Sequence, residues 1–339
     1  MSDPTSTDDL LYMGIDLGTF RSVVATSSGQ EAAVLSYVGW PKDFVARRAL
    51  GKDIVYGAEA LDQRQALNLH RPLQGGVLRE GTALDEQAVA ALIGHLIEVG
   101  GGQGRRLRVA VGVPAECLRI NKLAMKQAVG AYAEKMIVVS EPFAVAYGLG
   151  TLNNAVIIDI GAGTVDFCIM HGTVPDERDQ RSLLSAGDAI DQQLYERLRE
   201  RIPEATVTMN MARQLKETYG FVGTSEKLVK VKLPVSGKMV AYNITDEISH
   251  ACAYIVPPII ETTMRLIGAA DPEYQPRLRN NILLSGGCSQ LRGLADYLTR
   301  QMEPFEPCRF RCIPDPLNAG ARGALALVKD MPEEFFNQL

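Results

Sequence analysis

One motif occurs twice in the chain, and this duplication limits the possible folds more than any other feature. The first copy is Gly14-Ile15-Asp16-Leu17-Gly18-Thr19, and the second is Ile158-Asp159-Ile160-Gly161-Ala162-Gly163-Thr164. The copies lie 143 residues apart when Asp16 is aligned with Asp159. Each has the pattern of an apolar strand ending in Asp, a tight glycine turn with Thr, and a second apolar strand. Either copy alone is as consistent with an ordinary hairpin as with a site, whereas the pair predicts two similar lobes that face one cleft.

Composition is that of a globular chain and excludes several classes of protein. The 339 residues carry 35 basic and 40 acidic side chains, and 46% of the residues are hydrophobic. At roughly 150 residues per domain this length predicts about two domains. A net charge of −5 argues against a protein that coats nucleic acid through its charge. The six cysteines form no CxxC pair, which favours reduced cytosolic thiols over zinc ligands.

The polarity pattern gives no sign of direct membrane insertion. No stretch approaches the roughly 20 apolar residues that a membrane-spanning helix needs. The N-terminus is small, polar and acidic, unlike a secretory signal, and residues 1–9 are expected to form a disordered tail. The C-terminal Phe335 and Phe336 lie among acids without a base, so we expect them to pack on a protein surface rather than a bilayer.

Short β-branched runs alternate with helical patterns, which predicts an α/β fold. Strands are expected at residues 11–15, 22–26, 32–37, 107–113, 136–139, 155–158, 165–170 and 281–284. Helices are expected at 84–99, 189–201 and 290–302, with a further one at 244–267 that Pro257 and Pro258 must kink or split.

The glycine turns suggest a site for phosphate. A tight turn aims several backbone N–H groups at one point, and glycine permits both left-handed conformations and close approach of an anion. Gly18, Gly161 and Gly163 supply that freedom, while Thr19 and Thr164 add hydroxyl donors. Asp16 and Asp159 would repel phosphate, so their useful place is on Mg²⁺, through its bound water. The alternative is that each Asp merely caps its turn.

A third candidate, Glu141, lies between the two hairpins. It opens an apolar helix after the strand that ends at Val139, with Ser140 suited to cap the helix and Pro142 to its first turn. In isolation such a carboxylate most often complements the helix dipole. Here the helix follows a strand, so its start lies at the sheet edge where ligands bind in α/β proteins. From that edge Glu141 is a candidate to orient a water for attack on a terminal phosphate.

Taken together, these motifs resemble the actin, sugar kinase and Hsp70 ATPase superfamily. Asp16-Leu17-Gly18-Thr19, Ser140-Glu141-Pro142, Asp159 to Thr164 and Leu284-Ser285-Gly286-Gly287 occur in the superfamily order along nearly the whole chain. The resemblance implies an actin-like fold with duplicated ribonuclease H-like cores, and ATP or ADP with Mg²⁺ as the ligand. It also implies that Gly286 and Gly287 lie against the adenosine, although a Gly-Gly pair is otherwise an ordinary turn.

Within the superfamily the chain is similar to bacterial actins. Gly187 and Asp188 resemble the segment after the second phosphate turn, and Lys216 and Glu217 resemble the helix that reaches the ribose and adenine. Asp166 matches a position close to the attacking water. Arg213 departs from the MreB-type pattern, which has Glu there, and an opposite-charge pair such as Lys216 and Glu217 is commonly just a solvated face.

The resemblance also implies the domain organisation. Lobe I is expected at residues 10–147 and 315–339, with an outer subdomain at about 33–79. Lobe II is expected at residues 148–314, with an outer subdomain at about 191–246. Residues 318–328 resemble the helix by which the chain returns to lobe I.

Three functions remain open on this resemblance: an ATP-dependent filament, a small-molecule kinase, and a chaperone-like ATPase. The chain lacks room for the acceptor-binding segments of kinases or the substrate domain of Hsp70 proteins. Stretches outside the nucleotide motifs, including residues 38–43, 72–78 and 152–154, are similar to the filament proteins of magnetosome-forming bacteria. The implied partners are other copies of the chain and an adaptor protein on a magnetosome or other cargo.

Overall fold

The computed structural model describes residues 9–75, 77–78, 83–115, 128–225 and 227–337. The predicted tail, apart from Asp9, and Cys117 lie outside the described residues. The described chain forms two compact units, residues 1–152 with 317–339 (unit 1) and residues 153–316 (unit 2).

The two units contain seventeen strands among the described residues. In chain order these are β1 Leu10–Leu17, β2 Arg21–Thr26, β3 Glu31–Leu35, β4 Val38–Pro41, β5 Val55–Tyr56, β6 Leu67–His70, β7 Leu73–Gln74, β8 Val77–Leu78, β9 Arg106–Val113, β10 Lys135–Ser140, β11 Asn153–Ile160, β12 Val165–His171, β13 Gln180–Leu183, β14 Lys230–Val235, β15 Lys238–Asn243, β16 Ile282–Ser285 and β17 Phe310–Cys312.

The helices alternate with these strands. They are α1 Phe44–Leu50, α2 Gly57–Asp62, α3 Ala83–Val99, α4 Glu141–Gly148, α5 Gly187–Arg201, α6 Met209–Tyr219, α7 Thr245–Ala253, α8 Val256–Ala269, α9 Gln275–Arg279, α10 Leu294–Met302 and α11 Ala319–Asp330. The described residues also include two 3₁₀ turns, Gly287–Gln290 and Glu333–Asn337.

Each unit is built on a five-stranded sheet, and the two sheets have the same topology. The order is β3-β2-β1-β9-β10 in unit 1 and β13-β12-β11-β16-β17 in unit 2. In both sheets the first three strands form antiparallel pairs and the last three form parallel pairs. The duplicated core predicted from the repeated motif is therefore present.

Helices cover both faces of the unit 1 sheet. Leu92 and Leu96 of α3 share one buried apolar cluster with Leu11 and Met13 of β1. On the other face, Ala321 of α11 packs with Val23 and Ala25 of β2. A strand covered on both faces must be apolar at successive positions rather than alternately, and this explains the unbroken apolar run in β1.

One predicted helix is split where its prolines predicted, and another begins later than predicted. The pattern at 244–267 forms two helices, α7 and α8, because Pro257 and Pro258 fit only the first turn of the second helix. The helix predicted to begin at Gln290 is wrong at its start. Gly293 has φ +79°, a left-handed conformation that interrupts the segment, and α10 begins at Leu294.

Smaller sheets lie outside the two cores, and the sequence pattern did not predict them. β4, β5 and β6 form a three-stranded sheet in unit 1, and β14 and β15 form a hairpin in unit 2. Within the described residues, no helix combines the length and the apolar character needed to cross a membrane.

Candidate functional site

In unit 1 the predicted site residues lie along one edge of the sheet. Strands β1, β9 and β10 are parallel, Asp16 is opposite Gly112, and Gly112 is opposite Val139. Two interstrand spacings therefore separate the Asp16 backbone from the end of β10, which is about 10 Å. The first turn and Glu141 follow directly from these strand ends, so the fold brings Asp16, Gly18, Thr19 and Glu141 to the same edge.

The first turn is held by donors on its outer side. The Ser36 hydroxyl donates to the Gly18 carbonyl oxygen at 2.6 Å, and Nε of Arg71 donates to the Thr19 carbonyl oxygen at 2.7 Å. In a trans peptide the N–H points away from its own carbonyl. The N–H groups of Thr19 and Phe20 therefore point to the side opposite Ser36 and Arg71. Neither tethering residue was predicted.

Asp16 is packed against the first turn of α11. A Cβ atom built on Gly320 would lie 2.5 Å from Oδ2 of Asp16, so only glycine allows this approach. The N-terminus of a helix carries positive partial charge, which suits a neighbouring carboxylate. The helix by which the chain was expected to return to lobe I, α11, therefore begins beside Asp16, the residue predicted to lie near the metal ion.

Glu141 begins α4 and is only 7% exposed. Its Cγ would lie 3.5 Å from a Cβ built on Gly112, so the carboxylate side chain packs over the end of β9. Ser140 lies at the N-cap position of this helix, as predicted, but its side chain makes no capping hydrogen bond. Pro142 does lie in the first turn, as predicted.

In unit 2 the corresponding edge of its own sheet carries Asp159 and the predicted adenosine motif. Asp159 of β11 is opposite Ser285 of β16, and Gly286 follows with φ +78°. A Cβ on Gly286 would lie 2.5 Å from Oδ1 of Asp159 and 2.6 Å from the Ile160 carbonyl oxygen. Gly286 is thus required both by its left-handed backbone and by close contact with Asp159. Gly287 begins the 3₁₀ turn after it.

The second turn is held by the start of α5. The Gly187 N–H donates to the Gly161 carbonyl oxygen at 3.2 Å, and the Asp188 N–H donates to the Ala162 carbonyl oxygen at 2.7 Å. The N–H groups of Ala162 and Gly163 consequently point away from α5. Thr164 is buried and closes the turn, with its carbonyl oxygen accepting from the Gly161 N–H at 2.9 Å.

The expectation that the turn glycines adopt left-handed conformations is wrong. Gly18, Gly161 and Gly163 are absent from the glycines with positive φ in the described chain. At two of them a side chain would be crowded: a Cβ on Gly18 would lie 2.3 Å from the Arg21 carbonyl oxygen, and one on Gly161 would lie 3.3 Å from that of Thr164.

Asp166 lies directly across the strand pair from Asp159, and both side chains are buried. The Ser182 hydroxyl on β13 donates to Oδ1 of Asp166. Like charges directly opposite each other on neighbouring strands repel. A cation near this pair would relieve that repulsion.

Lys216, which was predicted to lie near the adenosine, belongs to an ionic cluster. The centre of this cluster is Asp191, a residue that was not predicted as part of the site. Nζ of Lys216 lies 2.7 Å from Oδ1 of Asp191, and Nε of Arg213 lies 3.0 Å from its Oδ2. Arg213 also lies 3.6 Å from the Asp188 carboxylate. Lys216 is thus not on a solvated face. Burial raises the pKa of Glu217 next to it, and the cations Lys216 and Arg213 partly oppose that rise.

Four residues that support the site were missed: Ser36, Arg71, Asp191 and Gly320. Each acts on a part of the chain distant in sequence, as Arg71 does on Thr19 and Gly320 on Asp16. The one available signal was local. Asp191 lies three residues after Asp188 and therefore on the same side of α5.

Within the described residues, no group of three or more His, Cys, Asp or Glu side chains is arranged to hold a metal ion. Magnesium bound to a nucleotide does not need one, because water and phosphate oxygens fill most of its ligand shell. Asp16 and the Asp159–Asp166 pair, which lie on the strands that lead into and out of the two turns, have the oxygen chemistry that suits such an ion.

Comparison with known proteins identifies the family. A family model described as MreB/Mbl protein matches residues 11–334. The chain belongs to the MreB/Mbl family. Among characterised members, the actin-like protein MamK of Paramagnetospirillum magneticum is 38% identical over 97% of this chain and 95% of its own length.

Solved structures extend this similarity to three dimensions. The MamK double helical filament is 37% identical, covers 95% of this chain and all of its own (100%), and superposes with a TM-score of 0.92. A non-polymerising mutant of MamK bound to AMPPNP is also 37% identical, covers 95% of this chain and 99% of its own, and has a TM-score of 0.73. This MreB/Mbl protein therefore has the actin-like fold predicted from its motifs.

Proposed function

We propose that this chain binds and hydrolyses ATP and assembles into cytoskeletal filaments. The observation that carries the proposal is shared by both units: in each glycine turn, two successive carbonyl oxygens are bonded to fixed donors. Ser36 and Arg71 hold the first turn, and the first N–H groups of α5 hold the second. The opposite side of each turn then presents N–H groups, which is how backbone binds an anion.

The ligand we propose is one nucleotide whose phosphates contact both turns. Membership of the MreB/Mbl family supports this, as does the AMPPNP bound to the non-polymerising MamK mutant. Gly286 and Gly287 would lie against the adenosine, since glycine offers a flat backbone surface there. Magnesium, when bound, would neutralise phosphate charge, with Asp16 and Asp159 accepting hydrogen bonds from its water ligands.

We assign Glu141 the task of orienting the attacking water. The carboxylate is buried at the edge that carries the first turn, and a fixed acceptor orients a water better than a mobile one. Asp166 would act through Asp159, the residue it faces across the strand pair. Phosphoryl transfer requires chiefly positioning and neutralisation of charge, and these groups supply both.

Filament formation is proposed from the relatives. The MamK structure with the highest similarity quoted above is a double helical filament, aligned over 95% of this chain. A head-to-tail contact that does not close on itself produces a filament. We propose a cytoplasmic filament and, because of the likeness to filament proteins of magnetosome-forming bacteria, a role in positioning magnetosomes through an adaptor protein.

The test is electron microscopy and light scattering of the purified chain with ATP, with ADP and without nucleotide, together with measurement of phosphate release. The proposal expects filaments above a steep concentration threshold, and phosphate release that depends on magnesium. Phosphate transfer to a small-molecule acceptor without filaments would instead identify a kinase and refute the proposal.

A further inference from the structure

A buried ionic cluster joins two helices of unit 2 at the end nearest the second turn. Asp191 of α5 is fully buried, and both cations that contact it come from α6. Arg213 and Lys216 are three residues apart, so they project from the same side of that helix. The cluster therefore fixes how α6 packs on α5.

The ammonium group of Lys216 makes its contacts within this cluster and with the start of α5. Its side chain is 8% exposed, and Nζ, besides contacting Asp191, donates to the Gly187 carbonyl oxygen at 3.0 Å. An ammonium has three donors, and these two contacts direct it towards α5. Lys216 thus ties α6 to the first residue of α5 as well as to Asp191.

The first residues of α5 are the ones that hold the second turn. Gly187 and Asp188 donate to the carbonyl oxygens of Gly161 and Ala162. The start of α5 is tightly packed against the turn, since a Cβ on Gly187 would lie 3.1 Å from Cα of Ala162 and 2.8 Å from Sγ of Cys288. A displacement of α5 at this end would therefore move the turn.

We propose that Asp191 is a positioning residue of the nucleotide site, which holds the second turn and the Glu217-bearing helix α6 at a fixed spacing, and that Lys216 acts through Asp191 rather than on the nucleotide. This inference rests on the proposed function, because it presupposes that the turn and α6 contact one ligand. A buried charge pair is suited to this task because its geometry is specific and loss of one partner is costly.

The experiment measures ADP affinity and thermal unfolding for Asp191→Asn, Lys216→Met and the double variant. We expect each single variant to weaken ADP binding about tenfold or more. Because the two residues act as one unit, the double variant should bind no more weakly than the worse single variant. It should also regain part of the lost melting temperature, because the unpaired ammonium is gone.

Glu247→Gln is the matched control. Glu247 of α7 pairs with Arg201 at the far end of α5, about 21 Å along the helix from Gly187. This variant should lower the melting temperature and leave ADP affinity unchanged, which separates loss of stability from loss of positioning.

Two results would overturn the proposal: wild-type ADP affinity in either single variant, or losses that multiply in the double variant, as expected if Lys216 touches the nucleotide itself. If Asp191→Asn does not fold, the double variant, which has no unpaired ammonium, is compared with Lys216→Met: equal ADP affinity supports the proposal, and a further loss in the double variant contradicts it. Failure of the proposed function is distinguishable, because the wild-type chain would then not bind ADP.

Discussion

At the scale of single residues, the candidate site includes side chains that hold the backbone of its turns. Arg71 donates to the Thr19 carbonyl oxygen and lies over the ring of Phe20, 5.9 Å from its centroid. The Ser36 hydroxyl donates a hydrogen bond to the Gly18 carbonyl oxygen and makes a second hydrogen bond with the Ser22 hydroxyl. These contacts orient the turn in advance, which would lower the cost of binding an anion there.

Replacement of Arg71 should therefore weaken nucleotide binding without unfolding the protein. Arg71→Met removes one hydrogen bond that orients the turn, and a loss of about tenfold in ADP affinity is expected. Titration with a fluorescent ADP analogue measures this. Arg64→Met is the control, because Arg64 also donates to a backbone carbonyl, that of Leu61, on an exposed surface. Equal affinity of both variants would argue against the tether.

Glu141 permits a sharper prediction at the same scale. Glu141→Gln keeps the size of the side chain and removes its charge, so phosphate release should fall by about 10² to 10⁴-fold while ADP affinity stays within a few-fold of wild type. Single-turnover release of phosphate from ATP makes the comparison, with the exposed Glu98→Gln as control. Wild-type turnover in Glu141→Gln would refute the assignment.

At the scale of elements, the C-terminal 3₁₀ turn is anchored by charge at the edge of the unit 1 sheet where the parallel strands begin. Glu333 pairs with Arg108 of β9 and with Lys135 of β10. Phe336 is buried with Lys135 at 5.3 Å and Arg108 at 5.6 Å from its ring centroid. The packing expected for Phe336 is present, whereas Phe335 is exposed.

This anchor should weaken in acid. Hydrogen bonds from Lys135 and Arg108 lower the pKa of Glu333 below its usual value. A carboxylate whose pKa is lowered on folding stabilises the fold above its ordinary pKa of about 4.3 and loses that contribution as pH falls through the lowered value. Hydrogen exchange in residues 331–337 should therefore accelerate below about pH 4, after correction for intrinsic rates. In Glu333→Gln it should already be faster at pH 7, and an unchanged rate in that variant would contradict the anchor.

Local patterns in the sequence predicted many of the helices, strands and turns, but they did not predict the contacts between these elements. β1 and β11 were predictable because each is an unbroken apolar run that ends in Asp before glycine, and α8 because Pro257 fits a first turn. Arg71 and Asp191 were not predictable, because their partners lie 52 and 22 to 25 residues away and no local period records such contacts. The prediction of left-handed conformations for the turn glycines was wrong, because glycine is also needed where only a side chain would collide with its surroundings, as at Gly18.

At the scale of the whole molecule, the duplicated sheet gives each unit one turn, one Asp and one helix start at the same edge. Under the proposed function, the state of the bound nucleotide would act on both turns. In this proposal, hydrolysis would remove the terminal phosphate and with it the contacts made by the turns, so subunit contacts that depend on them would weaken.

Asp159→Ala should consequently separate assembly from disassembly. The variant removes the carboxylate that we assign to the metal-bound water, so hydrolysis should cease while part of the nucleotide affinity remains. Filaments should form with ATP and persist after ATP is depleted, when wild-type filaments disassemble. Sedimentation over time measures both steps. Disassembly of Asp159→Ala filaments at the wild-type rate would show that hydrolysis by this site does not drive turnover.

The most direct measurement is a structure of the chain with magnesium and a non-hydrolysable ATP analogue. The account predicts one nucleotide whose phosphate oxygens accept hydrogen bonds from the N–H groups of Thr19 and of Ala162 or Gly163, with Asp16 and Asp159 on waters of one metal ion. A nucleotide that contacts only one turn, or neither, would contradict it.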